Sequence, residues 1–194
     1  MLNFDNYEIL RDKKVTLKET SKDDSKQKED VVEFMTESAL QVINFDGVKT
    51  EYTNKLGLSE ETATSVDALT QTCDHIVFIE FKNGKVHNSE VKSKIKDSLL
   101  ILCDILGKNI DYTRKNLDFV LVYNESKNTV PNQYKKRIPQ ESTSRSYITK
   151  TFLQKGGQEI VLFDLERYKN LYFRTVHTFP KEEFECYISQ LRGC

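Results

Sequence analysis

The stretch SVDALTQTCDHIVFIEFKNGK, residues 65–85, places charged side chains in a segment that otherwise has the composition of a β-strand. Glu80 and Lys82 stand where a central strand normally carries Val or Thr. Burying a charged group costs free energy unless the group is paired or coordinates an ion. The surroundings of these two charges therefore decide which fold and which chemistry the sequence predicts.

Alternate residues of a strand lie on the same face of a sheet. In residues 76–82 one face is entirely apolar, so we expect it to pack in the core. That face carries Val77, Ile79 and Phe81. The opposite face begins with apolar residues and ends with Glu80 and Lys82, so we expect these charges where the strand emerges into a cleft.

A hairpin is predicted over residues 65–82, because QTCDH has the composition of a turn. With the turn centred between Cys73 and Asp74, Asp67 lies directly opposite Glu80. Opposed residues have Cβ atoms about 5 Å apart, and like charges there are destabilising. A cation between the carboxylates relieves the repulsion, and Mg²⁺ is suited because one or two carboxylates, waters and substrate phosphates typically hold it.

Lys82 projects from the same face as Glu80, about 7 Å further along the strand. An ammonium group beside a metal site can orient water, help to deprotonate it, or stabilise the charge of a phosphoryl transition state. The alternative is an ordinary surface strand with a Glu–Lys pair two residues apart. The apolar strand that leads to Glu80, and Asp67 on the strand that should pair with it, favour a site.

The spacing of three charged residues resembles the motif of the PD-(D/E)XK nuclease superfamily, which has the restriction-endonuclease-like fold. Twelve residues separate Asp67 from Glu80, and one residue separates Glu80 from Lys82. The resemblance covers residues 31–125, interpreted as helix–strand–strand–strand–helix–strand. It implies that Asp67 and Glu80 bind Mg²⁺ or Mn²⁺ and that Lys82 assists hydrolysis of a phosphodiester. Val66 stands in place of the motif's proline, which is widely lost in the superfamily.

Several members of this superfamily add a metal-binding glutamate from the first helix. Glu37 is the candidate here, with Glu33 as the second choice. In a helix over residues 31–43, both side chains project away from the apolar stripe, which favours solvent-exposed positions for them. A break in that helix near Thr36 would reverse this expectation.

The spacing of apolar residues and the positions of turn residues predict the other elements. Helices are expected at residues 31–43, 88–108, 144–155 and 180–191. Strands are expected within 7–19 and at 65–71, 76–86, 117–125, 159–165 and 171–179, with 44–52 a strand or an extended loop.

This order predicts a single α/β domain over residues 1–194, with a mixed central sheet flanked by helices on both faces. The restriction-endonuclease-like core is expected at about 31–125. Residues 126–194 would be a C-terminal elaboration that carries the specificity of the subfamily.

The composition is that of a soluble globular protein: 194 residues, 38% hydrophobic and 30% charged, with a net charge of −1. We find no apolar run approaching the ~20 residues of a membrane span, and no apolar stretch of a signal peptide at the start. The four cysteines lack metal-type spacing and are interpreted as reduced thiols. We therefore expect a cytoplasmic protein without a membrane partner.

Charge is unevenly distributed along the chain. Residues 40–80 carry seven acidic groups against two lysines, and residues 127–155 carry seven Lys or Arg against the single acid Glu141. Such asymmetry is typical of an acidic metal pocket beside a basic groove, and equally of ordinary surface variation.

Several basic residues are candidates for contacts with DNA or RNA. Lys135, Lys136 and Arg137 lie beside an aromatic residue in QYKKRIP, a combination that can grip phosphates and stack on a base. Lys92 and Lys96 point away from the apolar stripe of the helix after Lys82. An exposed, solvated role stays open for all five, and a homodimer stays open beside a monomer.

The function that the sequence predicts is a Mg²⁺- or Mn²⁺-dependent nuclease, either an endonuclease or an exonuclease. One alternative is an inactive protein of the same fold that serves in binding or assembly. Another is an effector of a defence or mobile-element system. Ser/His/Asp and Cys/His hydrolases are disfavoured because the three histidines have no nucleophile motif around them, and seven glycines leave little room for a phosphate-binding loop.

Overall fold

The computed structural model describes residues 2–23, 32–128 and 161–191. In chain order the α-helices of these residues are α1 (Glu8–Arg11), α2 (Leu17–Thr20), α3 (Phe45–Lys55), α4 (Asn88–Leu106), α5 (Ile110–Asn116) and α6 (Lys181–Leu191). The strands are β1 (Lys14–Thr16), β2 (Lys22–Asp23), β3 (Glu33–Phe34), β4 (Gln41–Asn44), β5 (Ala68–Gln71), β6 (Ile76–Lys82), β7 (Leu117–Tyr123) and β8 (Thr175–Pro180). Short 3₁₀ turns occupy Phe4–Asn6, Glu60–Thr62, Glu125–Lys127 and Glu166–Tyr168.

Six strands form a mixed sheet in the order β1-β4-β5-β6-β7-β8. The pairs from β1 to β6 are antiparallel, while β6, β7 and β8 run parallel to one another. Parallel neighbours need a crossover connection, which α4 and α5 provide between β6 and β7. Every residue of β7 is buried, as expected for a central strand covered on both faces.

The side chains of β6 divide the core into two layers. Phe78 packs edge-on against Phe45 of α3, with ring centroids 5.0 Å apart, on the face that α4 also covers. Phe81 packs edge-on against Phe184 of α6 at 5.5 Å, on the face that Leu17 of α2 also covers. The α/β class, the mixed sheet and the helices on both faces are therefore confirmed.

Helix α4 confirms the helix predicted at residues 88–108, although it ends at Leu106. Gly107 follows its last residue in the left-handed conformation, with φ of +60°, which an L side chain rarely adopts. The helix starts at Asn88, and its N-cap residue, His87, makes no side-chain capping hydrogen bond.

The predicted helix at 31–43 is wrong over the residues that the structure describes, because β3 and β4 lie there. Val42 and Ile43, which fitted a helical stripe, are buried on opposite faces of the sheet as adjacent strand residues. Residues 45–52 are also not extended, because they belong to α3. The Asn44 side chain accepts a hydrogen bond from Gly47 N at 3.1 Å and starts α3 there.

The other departures lie after β6. Helix α5 was not expected from the sequence. Val161 to Leu165 form no strand, because Phe163 and Asp164 have φ of +61° and +57°. Two consecutive left-handed residues break an extended chain. The predicted helix 144–155 lies outside the described residues.

The predicted order for residues 31–125 began with a helix that precedes all the strands. In the structure the first helix of this range, α3, lies between the strands β4 and β5. The restriction-endonuclease-like core thus stays a prediction. No helix of the described ranges is both long and apolar enough to cross a membrane.

Candidate functional site

The β5–β6 hairpin has the predicted register. Ala68 pairs with Ile79, and Thr72 N donates to His75 O at 2.8 Å across the turn. Asp67, one residue before the paired segment, accepts a hydrogen bond from Phe81 N through Oδ2 at 2.6 Å. The hairpin therefore brings the Asp67 carboxylate to the end of β6 that carries Glu80.

Glu80 is fully buried, with 0% of its surface exposed. It lies on the face of β6 that α4 covers, so the open cleft expected around this residue is wrong: the helix closes over it. Neither carboxylate oxygen of Glu80 accepts a hydrogen bond from any residue in the described part of the chain. A buried carboxylate without hydrogen bonds is costly unless a cation lies beside it or it takes up a proton.

Lys94, on α4, provides a positive charge at this point. Its Nζ lies 2.8 Å from Glu80 Oε1 and donates a hydrogen bond to Asp67 Oδ1 at 3.3 Å. One ammonium group thus contacts both predicted metal ligands. The contact to Glu80 has ion-pair distance without the alignment of a hydrogen bond.

Lys82 lies on the other side of Glu80. Its Nζ is 3.2 Å from Glu80 Oε1 and forms a shorter hydrogen bond to Glu90, at the start of α4. The three sequence-predicted residues Asp67, Glu80 and Lys82 are therefore brought together, and α4 completes their surroundings with Glu90 and Lys94.

These contacts shift the acid–base equilibria of the group. Burial, followed by the nearby charge of Asp67, raises the pKa of Glu80 to about 8. Burial also raises the pKa of Asp67, although the ammonium of Lys94 opposes the shift. Burial disfavours the charged form of Lys94, but the Asp67 and Glu80 carboxylates outweigh it and raise its pKa. The hydrogen bond from Lys82 lowers the pKa of Glu90.

A third acidic residue influences the pair from a distance. Asp46, in the first turn of α3, accepts a hydrogen bond from Ser65 Oγ at 2.5 Å. Its charge contributes to the raised pKa of both Asp67 and Lys94. Even so, the described residues contain no group of three carboxylate, histidine or cysteine side chains close enough to hold one metal ion.

The residues present nevertheless fit Mg²⁺ or Mn²⁺. Asp67 and Glu80 supply hard carboxylate oxygens, and Glu80 Oε2 is buried without a partner in the described chain. Mg²⁺ commonly uses one or two carboxylates and completes its coordination with waters and substrate phosphates. Two carboxylates are therefore sufficient for such an ion.

Glu37 does not join this pair. It lies between β3 and β4 with 75% of its side chain exposed, and it forms an ion pair of 2.7 Å with Lys18 of α2. The helix from which its position was argued is absent, so the reasoning from helical geometry does not apply. Glu33 accepts a hydrogen bond from the Asn83 amide at 2.8 Å and lines an open groove of about 760 Å³ beyond the end of β6.

The predicted nucleic-acid contacts are separated in the structure. Lys92 forms an ion pair of 2.7 Å with Asp164, so a phosphate would have to compete with that carboxylate. Lys96 is exposed on the outer face of α4. The cluster of Lys135, Lys136 and Arg137 lies outside the described residues.

Lys94 is the residue that the sequence reasoning missed, although the sequence contains a signal for it. Val91 and Ser98 are buried on α4, and Lys94 is spaced three and four residues from them. Residues so spaced share one face of a helix. A lysine within the buried stripe of an amphipathic helix indicates a buried acidic partner, and the strand before it carries Glu80.

Comparison of the chain with protein-family models, with curated proteins and with solved structures finds no match. The function is therefore argued from the site itself.

Proposed function

We propose that this protein is a metal-dependent phosphodiester hydrolase acting on DNA or RNA, with Asp67 and Glu80 as the ligands of Mg²⁺ or Mn²⁺. One observation carries the proposal: Glu80 is completely buried, its Oε2 has no partner among the described residues, and a second carboxylate lies beside it. The ammonium groups of Lys94 and Lys82 lie beside Oε1, so a purely structural role would still leave Oε2 unpaired among the described residues, whereas a bound cation would satisfy it.

Each residue of the group has a role that its contacts support. When bound, the divalent ion polarises a phosphoryl oxygen and offsets the negative charge that develops there. Lys82, 3.2 Å from Glu80 Oε1, provides an ammonium group that stabilises the same charge. Glu90 accepts a hydrogen bond from Lys82 and therefore orients it.

The test of catalysis uses linear duplex, circular duplex, single-stranded DNA and RNA, each incubated with Mg²⁺, Mn²⁺ or EDTA. We expect cleavage of at least one substrate that EDTA abolishes. Lys82→Ala should reduce the cleavage rate by about 100-fold or more, the range for loss of a group that stabilises transition-state charge, and should leave Mn²⁺ affinity within a few-fold of wild type.

The control is Lys115→Ala, which removes an exposed lysine whose ion pair with Asp111 lies on the surface of α5. A surface pair of this kind contributes about 0–1 kcal/mol, so cleavage should not change. Normal cleavage by Lys82→Ala would contradict the role assigned to Lys82.

A second candidate function is binding of DNA or RNA without cleavage, either with or without a bound metal ion. The observation that favours it is Lys94, whose ammonium already lies within ion-pair distance of both carboxylates. Thermal unfolding with added Mn²⁺ separates the two. An increase in Tm that Asp67→Asn abolishes and Asp74→Asn retains, together with no cleavage of any substrate, would favour the binding protein.

A further inference from the structure

We propose that Lys94 is a built-in counterion: its ammonium holds the cation position between Asp67 and Glu80 in the metal-free protein, and a divalent ion binds only by displacing it. This inference rests on the proposed metal site and adds a residue that regulates its occupancy. The two can fail separately, as the experiments below show.

The geometry supports shared occupancy of one position. Lys94 Nζ is 2.8 Å from Glu80 Oε1 and 3.3 Å from Asp67 Oδ1, so it lies between one carboxylate oxygen of each proposed metal ligand. A divalent cation bound to the same oxygens would be within a few ångströms of the ammonium. Two positive charges this close in a largely buried site repel each other strongly, which disfavours holding both there.

Core packing and a hydrogen bond hold the backbone of α4 in place around Lys94. Val91 and Ile95, on either side of Lys94 in the sequence, are buried in the core, and Ser98 Oγ accepts a hydrogen bond from Val66 N at 2.9 Å. The side chain can move, because lysine has a flexible four-carbon stem. Lys94 retains 18% exposure, so a path to solvent exists.

Removing the ammonium has two opposite consequences. In the metal-free protein it leaves two buried carboxylates without their shared counterion, which destabilises the fold. In the metal-bound protein it removes the competitor, which strengthens metal binding. A lysine with an ordinary structural role would produce the first effect without the second.

The first experiment compares Mn²⁺ binding to wild type, Lys94→Met and Lys96→Met by isothermal titration calorimetry, with Tm measured in EDTA. We expect Lys94→Met to lower the Tm of the metal-free protein and to bind Mn²⁺ about tenfold or more tightly than wild type. Lys96→Met removes the same charge from the exposed face of the same helix, so its affinity and Tm should match wild type.

The second experiment uses the wild-type protein and therefore does not depend on the folding of a variant. Acylation of lysines is followed by peptide mass spectrometry with and without Mg²⁺. Displacement from the carboxylates should increase the labelling of Lys94 several-fold, while labelling of Lys96 stays constant.

The outcomes separate the inference from the proposed function. Equal or weaker Mn²⁺ binding by Lys94→Met, no binding by either protein, or labelling of Lys94 that ignores Mg²⁺ overturns the counterion role. Tighter binding by Lys94→Met without cleavage of any substrate by wild type upholds the counterion and removes the nuclease. If wild type shows Mn²⁺-dependent cleavage but wild type and Lys94→Met bind Mn²⁺ equally tightly, the nuclease function is upheld and the counterion role is overturned.

Discussion

Glu80 and Asp118 show how differently two buried carboxylates of one sheet can be accommodated. Asp118, 2% exposed at the start of β7, accepts two hydrogen bonds from the Arg174 guanidinium and one from Thr175 N, and it lies 2.9 Å from His75 Nε2. Its hydrogen-bonding capacity is filled, which is the expected pattern for a structural group. Glu80 has ion pairs to flexible lysines and an oxygen without a partner in the described chain, a pattern typical of a functional group.

The raised pKa of Glu80 makes the stability of the metal-free protein depend on pH. In the unfolded chain the carboxyl ionises near 4.5, whereas in the folded protein its pKa is about 8. Between these values the folded state holds a proton that the unfolded state has lost. The Glu80 contribution to the free energy of unfolding therefore falls as pH rises from about 4.5 to about 8, and is constant above that.

Denaturant unfolding in EDTA at several pH values measures this dependence. Glu80→Gln carries a neutral side chain at every pH, so the fall in stability across this window should become smaller than in wild type. Glu37→Gln changes an exposed glutamate and should retain the wild-type curve. Identical pH profiles for wild type and Glu80→Gln would contradict the assignment.

At the level of elements, α4 and the β5–β6 hairpin form one unit. The helix contributes Glu90 and Lys94 to the group, and its Ser98 binds the backbone just before Asp67. The position of the Asp67 carboxylate therefore depends on α4 as well as on the hairpin register.

Ser98→Ala tests this attachment. Val66 N is buried, and it would lose the Ser98 Oγ acceptor, so the free energy of unfolding should fall by about 1–3 kcal/mol. Urea denaturation measures the change. Ser93→Ala is the matched control on the exposed face of α4 and should stay within about 0.5 kcal/mol of wild type; equal effects of the two substitutions would show that the Ser98 bond does not hold β5.

At the level of the whole molecule, acidic and basic groups occupy different parts of the chain. The acidic residues 40–80 contribute Asp46, Asp67 and Glu80 to one side of the sheet. The basic residues 127–155 follow β7, which is the parallel neighbour of the strand that carries Glu80.

The salt dependence of binding tests the basic segment. Changing Lys135, Lys136 and Arg137 together to Gln should weaken binding to all sequences alike. On duplex DNA it should also reduce the log–log salt slope by about one unit for each phosphate that the variant no longer neutralises. Fluorescence anisotropy over a range of salt concentrations measures both quantities. The control triple variant changes lysines in surface ion pairs elsewhere: Lys14, Lys55 and Lys115.

An unchanged affinity and slope in the first triple variant would exclude these three residues from the interface. A comparable weakening in the control variant would show that the effect is one of net charge alone.

Local patterns determined the parts of this protein that interact over short distances in sequence. The turn composition around Cys73 set the hairpin register and so placed Asp67 by Glu80, while the helical spacing in residues 88–108 and the terminal Gly107 defined α4. These features depend on backbone preferences and apolar periodicity that a short window of sequence contains.

Tertiary structure decided the rest, because it depends on contacts between distant segments. Val42 and Ile43 fit a helix by spacing, but pairing with β1 and β5 makes them strand residues. The burial of Glu80 and the placement of Lys94 between two carboxylates require α4 to lie across β6; the helical spacing places Lys94 in the buried stripe, but only this packing sets which acids it meets. The sequence by itself thus determined which residues carry charge near one another, and only the packing of helix on sheet decided that one lysine occupies the position between them.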